Sequence, residues 1–371
     1  MTERFRFAVI GTRFWGEGFH IPGLVARGDV EVAALCGRDA AHAQAVAAKF
    51  AIPRVYADWR EMIAREKLDG VAITAPNKLH HPIALAACDA GLHVICEKPL
   101  AMNAAEAREM LDRASARQRK HLVMFDYRAM PAARRAKELI DIGFVGCVYH
   151  VVAMYQHASY LDPTRPFAWR MSKAESGTGT LGDLASHIID LTRWWVGDFA
   201  RVSGHLATFT KQRPHPATKE MVAVDVDDAA SFVAEMQGGA QAIFHATKMA
   251  IGRGNAIRVE LYGSEGALIF DADPGNRANW SGSLYAARRG EREMRELEIE
   301  PRLSAGFETP DHARSLASAF RVMTDPFFAA IRANADALNV PSNFEGGLAA
   351  QQVVDAVARS AETGKWEQVK F

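Results

Sequence analysis

The chain has 371 residues, 49% of them hydrophobic, and its 44 Lys+Arg balance 44 Asp+Glu for a formal net charge of zero. That length exceeds one ordinary domain and predicts two, with apolar material for both cores, which excludes a disordered chain. The balanced charge carries no basic footprint for a nucleic-acid partner, and no uninterrupted apolar run is long enough to span a bilayer.

Phe5 to Ile10 reads as a short buried strand ended by Gly11, and 15–27 as a helix kinked or delayed by Pro22. Val30 to Cys36 is a second strand, followed by an Ala-rich helix over 39–50. Leu68 to Thr74, Leu92 to Cys96 and Leu122 to Phe125 are further strands, with helices over 79–90 and 103–118 between them. Short apolar strands alternating with amphipathic helices predict an α/β fold: a Rossmann-type, doubly wound parallel sheet whose ligand crevice lies beyond the carboxyl ends of the strands. At those ends stand GTRFWG, CGRD, TAPN, CEKP and FDYR, clusters that such a fold gathers into one site.

After residue 126 the rhythm changes. A helix is expected over 132–140, closed by Gly143 and Gly146, then strands at 147–155, 201–210, 227–236, 240–248 and 256–262, with a helix over about 183–195. The MQGGAQ and YGSEGAL turns predict a large, mostly antiparallel sheet in an α+β second domain. Residues 271–310 read as polar surface excursions with one or two edge strands, and helices return at 311–335 and 346–362. The expected boundaries are 1–125 for a dinucleotide-binding domain and 126–371 for a substrate-binding and oligomerisation domain. Cys36, Cys88, Cys96 and Cys147 form no CxxC pair and are expected as reduced thiols. The opening MTERFRFAVIG has no targeting h-region, so a cytoplasmic protein is expected. The Arg134-Arg135 and Arg288-Arg289 pairs read as solvated faces or salt-bridge partners.

Gly11, Arg13, Phe14, Trp15 and Gly16 lie in a strand–turn–helix context that suits a dinucleotide pyrophosphate. The first and third glycines of that pattern are present, and Arg13 replaces the middle one. Its guanidinium is expected to face phosphate; the competing reading is a plain tight turn. At the end of the second strand Arg38 favours NADP(H) and Asp39 suits the ribose of NAD(H), unless Asp39 caps the next helix. NAD(P)(H) is therefore the expected cofactor, with both forms open. Glu97-Lys98-Pro99 follows the fourth strand, where Pro99 bars regular helix at Lys98 and an ammonium there would stabilise charge on an alcohol oxygen. In GTGTLGDLASHIIDLTRWWVG, Asp183 and His187 are four apart and share a helix face, with Asp190 one turn on. A histidine beside a carboxylate suits acid–base work. The alternatives are a structural helix start, or metal binding by Asp183, His187 and either His157 or His245. No third-ligand spacing or HExxH pattern supports a metal, and none is expected.

With Gly11–Gly16, Glu97-Lys98-Pro99 and Gly182-Asp183…His187 in this order, the chain resembles the glucose–fructose oxidoreductase, inositol dehydrogenase and MocA-like family over essentially its whole length. The YQ…RPFAWR order looks like that family's levoglucosan and sugar dehydrogenase branch. The resemblance implies an NAD(P)-dependent oxidoreductase moving hydride between nicotinamide and a secondary hydroxyl or ketone of a sugar, anhydrosugar or cyclitol. It makes Lys98, Asp183 and His187 the catalytic group. It assigns cofactor contacts to the loop holding Thr74, Ala75, Pro76, Asn77 and His80, to Glu97 and Lys98, and to Asp126, which stands where asparagine is frequent. Trp169 and Arg170 are implied at the nicotinamide or the substrate, and Tyr155, Gln156 and Arg128 at the substrate. Pairing through the open sheet face implies a homodimer or homotetramer. A sugar–sugar oxidoreductase with tightly held nucleotide and a non-catalytic dinucleotide sensor remain the competing functions.

Overall fold

A computed structural model describes residues 4–277, 280–307, 312–335, 340 and 342–371. Positions 278, 279 and 308–310 of the expected excursion, and position 311 at the start of the following helix, lie outside them. Two compact units result: residues up to Asp126 together with Leu316–Leu348, and Tyr127–Ser315 together with Ala349–Phe371.

The first unit carries six strands: β1 Phe5–Ile10, β2 Val30–Cys36, β3 Val55–Tyr56, β4 Gly70–Ile73, β5 His93–Cys96 and β6 His121–Val123. They lie in the order β3-β2-β1-β4-β5-β6 with every neighbouring pair parallel. The order reverses between β1 and β4, the switch point at which such sheets bind ligands. Asp39, Asp58 and Asn103 cap the helices Ala40–Lys49, Trp59–Arg65 and Ala104–Ala116 with their side-chain oxygens. Sequence periodicity missed β3 and the helix Trp59–Arg65, because a two-residue strand and a seven-residue helix are too short to establish a period. After β1 the chain makes one π turn, Gly16–His20, and then a five-residue α-helix with Pro22 in its first turn, which is how the sequence accommodates that proline.

The contiguous boundary expected from the sequence is corrected here. Helix His312–Ala333 sets Phe327 and Phe328 against Phe7 of β1, with ring centroids 6.3 and 5.2 Å apart, and Phe320 against Phe19 at 5.4 Å. A Cβ on Gly23 would stand 2.4 Å from the Phe320 ring, so that glycine is needed for the approach. A parallel sheet must be covered on both faces. The late helix supplies part of that cover, each fully buried Phe contributing roughly 1.5–3 kcal/mol.

The second unit has a nine-stranded sheet. Its strands are β7 Val148–Gln156, β8 Phe199–Ala207, β11 Ala229–Met236, β12 Gln241–Thr247, β13 Ala256–Gly263, β14 Gly266–Ala272, β15 Ser283–Arg288, β16 Arg295–Glu296 and β17 Glu367–Gln368. A separate ribbon pairs β9 Gln212–Pro214 with β10 Met221–Ala223. The order is β16-β15-β14-β13-β7-β12-β11-β8-β17, antiparallel except where β7 meets β12. One face is apolar and buried, with Val151, Ala153, Phe232, Phe244, Val259 and Phe270 beneath the helices Pro131–Asp141 and Ser186–Val196. The opposite face is open, as the period-two burial of β11 and β12 requires. β17, formed near the end of the chain, was not anticipated.

Candidate active site

In the first unit the turn after β1 is pulled tight. Gly11 has φ +109°, and a Cβ there would stand 2.6 Å from the Thr74 backbone; one on Gly16 would stand 2.2 Å from the Gly11 carbonyl oxygen. The Thr74 hydroxyl donates to that carbonyl at 2.7 Å, tying the loop after β4 to the loop after β1. Arg13 turns outward and donates to the Asp39 carboxylate at 2.7 Å, while the other Asp39 oxygen accepts the His42 N–H at 3.1 Å. Arg13 therefore faces the end of β2 and an acid. Asp39 caps its helix, the second of the two duties considered for it, and these bonds hold its carboxyl below the usual range. Arg38 is exposed beside it, with no hydrogen bond or ion pair among the described residues. Phe14 is exposed, and Trp15 stands edge-on to Phe14 and Phe19. A glycine-bounded turn between strand and helix, with a cation and a carboxylate at the next strand end, fits a nicotinamide dinucleotide.

Thr74, Ala75, Pro76 and Asn77 form the loop after β4, and Asn77 opens a short 3₁₀ turn. His80 is fully enclosed: Nε2 lies 2.9 Å from the Ala75 carbonyl oxygen and Nδ1 3.0 Å from that of Pro99. Burial lowers its pKa against the pull of those carbonyls. Glu97, also buried, accepts from His20 Nε2 at 2.7 Å and from the Lys98 N–H at 3.3 Å. Both side chains were expected at the cofactor; the structure shows their protein partners, which tie the loops after β4 and β5 in place. Lys98, buried at the end of β5, precedes Pro99 through a cis peptide, and Asp126 is buried at the start of a 3₁₀ turn.

In the second unit the glycine-rich approach leads into a π turn, Leu181–Ala185, and then the α-helix Ser186–Val196, so Asp183 lies on the wide turn and His187 on the helix proper. Inserted π turns recur at functional sites. Asp227 anchors this entry: its carboxylate accepts the N–H groups of Gly179 at 2.8 Å and Leu181 at 2.7 Å. Burial pushes that carboxyl up, against the two N–H donors. His187 is 4% exposed and walled by aromatic rings, with Tyr127 at 4.7 Å edge-on and Tyr155 at 5.8 Å. The two phenol oxygens are 2.7 Å apart, and Asn255 bridges them, donating to Tyr127 at 2.7 Å and accepting from Tyr155 at 2.6 Å.

Asp183 meets two cations. Lys248 Nζ is 2.8 Å from its Oδ2, and Arg170 Nε is 4.0 Å from its Oδ1. Burial works against the Lys248 ammonium, yet the Asp183 carboxylate and Tyr160 outweigh it and hold its pKa above the ordinary lysine value. Trp169 lies under the Arg170 guanidinium, 4.3 Å from carbon to ring centroid. Arg128, expected at the substrate, is buried and held on Asp190 by two hydrogen bonds of 2.7 and 2.6 Å. Gln156 ends β7 opposite Thr247, on the open face of the sheet, whereas Tyr155 points to the buried face. Sequence reasoning missed Tyr127, Asn255, Asp227 and Lys248. The one available signal was a lysine closing an apolar strand, QAIFHATK, where a surface position would be unremarkable.

His245 bonds Ser231 on the sheet face opposite Tyr155, and His157 Nδ1 accepts the Ser159 N–H. Among the described residues no group of three His, Cys, Asp or Glu could hold an ion. Among those residues, too, no helix is long and apolar enough to cross a membrane.

A family model described as "Oxidoreductase family, NAD-binding Rossmann fold" matches residues 5–126, and one described as "GFO/IDH/MocA C-terminal domain" matches 133–269. Levoglucosan dehydrogenase of Pseudarthrobacter phenanthrenivorans is 30% identical over 98% of this chain and 93% of its own. An oxidoreductase domain protein from Kribbella flavida is 34% identical with a TM-score of 0.88, covering 100% of both chains. A levoglucosan dehydrogenase solved in complex with NADH and levoglucosan is 29% identical with a TM-score of 0.89, covering 99% of this chain and 100% of that one.

Proposed function

The chain belongs to the GFO/IDH/MocA oxidoreductase family, and on that premise we propose that it is an NAD(P)-dependent dehydrogenase of a sugar, anhydrosugar or cyclitol, acting at a secondary hydroxyl or the corresponding ketone. The observation that carries the reading is the setting of His187: a buried imidazole walled by two hydroxyl-bearing rings, one turn after an acid held by cations. His187 takes the hydroxyl proton at an imidazole nitrogen and Asp183 orients the ring through its hydroxyls, while the family resemblance gives Lys98 the role of stabilising charge on an alcohol oxygen. Trp169 offers a flat apolar face of the kind that packs on a polyhydroxylated ring. When bound, the nicotinamide supplies the hydride acceptor. Arg38 supports NADP(H) as the working form, and the NADH-bound relative is the reason to measure both. The exposed, directly opposed Val233 and Ile243 on the open sheet face support a homodimer or homotetramer built there.

The test is reduced-cofactor formation across a panel of sugars, anhydrosugars and inositols, run with NAD⁺ and NADP⁺ in parallel. Turnover of at least one panel member is expected, with Lys98→Ala abolishing it while sparing cofactor binding. Silence across the panel counts against the dehydrogenase; nucleotide released on denaturing the silent protein would then favour a sugar–sugar oxidoreductase, and an empty protein a non-catalytic sensor.

A further inference from the structure

We infer that Lys248 is a positioning residue of this site, fixing the Asp183 carboxylate in the orientation that receives the substrate; the inference rests on the reading of Asp183 given above. Lys248 is 3% exposed and cannot be a wandering surface cation. Its backbone is pinned at both ends: its N–H donates to the Asp228 carbonyl at 3.0 Å, and its carbonyl accepts the Tyr160 N–H at 3.1 Å. Its ammonium lies 4.5 Å over the Tyr160 ring. Tyr160 is itself held by Arg213, which is fully buried, donates to the Tyr160 carbonyl at 2.6 Å and lies 5.2 Å over the same ring. A rigid strand end thus presents one ammonium to one carboxylate oxygen.

Lys248 takes Oδ2 at 2.8 Å while Arg170 stands 4.0 Å from Oδ1, so the two oxygens are inequivalent and the carboxylate cannot rotate without breaking a buried pair. The charged and titratable groups around this pair are Arg170 from the turn Trp169–Met171, His157 beyond β7, Tyr160, and Asp227 before β11. Arg165 and Asp273 act on His157 in turn. Of the cations named, Lys248 is nearest to Asp183, and removing it withdraws a buried positive charge from the carboxylate.

The experiment compares Lys248→Met, Asp183→Asn and the double variant for kcat, KM, the pH profile of kcat/KM, cofactor binding and thermal melting. Lys248→Met is expected to lower kcat/KM at least tenfold and to move the acid limb to higher pH, with cofactor binding unchanged. The double variant is expected to match Asp183→Asn alone, because Lys248 acts through that carboxylate. Lys248→Gln carries the same comparison if the methionine variant does not fold. A neutral variant with wild-type kcat, KM and acid limb, alongside an impaired Asp183→Asn, overturns the inference and leaves the proposed function standing. An Asp183→Asn protein with full turnover overturns the role given to Asp183, and the inference with it. A melting-temperature change without a kinetic one marks the pair as merely structural and also overturns it.

Discussion

Arg38 and Arg13 show how one side chain's surroundings decide its duty. Both are exposed arginines near the end of β2, but Arg13 is committed to Asp39, and Asp39 to Arg13 and the helix it caps. Arg38 keeps its guanidinium in solvent, at the strand end where the proposed function places a 2′-phosphate. Charge-assisted hydrogen bonds contribute about 1.5–3 kcal/mol, so Arg38→Ala should weaken NADPH roughly 10- to 100-fold and NADH far less. Fluorescence titration of both reduced nucleotides checks this, and equal losses would remove Arg38 from the 2′ position. The residue types at the strand ends were legible because each is odd for its place: a lysine before proline, an arginine among glycines. Their partners were not, since His20 with Glu97 and Lys248 with Asp183 are separated by 77 and 65 residues and meet only after folding.

At the scale of the element, the glycine-rich approach to Asp183 has a specific cause. A Cβ on Gly179 would stand 2.1 Å from the Asp227 carbonyl oxygen, and the same Asp227 caps the π turn through its carboxylate. The glycine permits the approach, and the approach fixes where Asp183 begins its turn. Gly179→Ala should cost about 1–3 kcal/mol of overpacking. That corresponds to a melting temperature several degrees lower. Sugar turnover should fall with it, while nucleotide affinity stays at the wild-type value. An alanine variant with unchanged melting and kinetics would show that the approach is not needed. Helical periodicity located the His187 helix to within two residues but could not distinguish a π entry from an α one, because both place Asp183 and His187 on nearly one side.

For the whole molecule, the open face of the nine-stranded sheet is the feature with consequences. Ile243 is 56% exposed and Val233 41%, directly opposite each other on adjacent central strands, where an isolated sheet would favour polar side chains. Covered by a second copy, they would leave water. Ile243→Glu should therefore shift the protein toward monomer in sedimentation velocity, with secondary structure unchanged. A wild-type protein already monomeric at micromolar concentration would rule this face out as the pairing surface.

Local pattern sufficed for the doubly wound parallel sheet and for the mostly antiparallel second sheet, and it marked the candidate segments at the strand ends. Strand and helix periods, and the residues at strand ends, depend on neighbours a few positions apart. Tertiary structure decided the rest. It gave Leu316–Leu348 to the first unit, because the rings of Phe320, Phe327 and Phe328 find their cover on Phe19 and Phe7, about 300 residues earlier in the chain. It set Arg128 on Asp190, His80 between two carbonyls and Glu97 on His20, because a charge or ring nitrogen that loses water on folding must find a protein partner. No spacing along the chain encodes which group that will be.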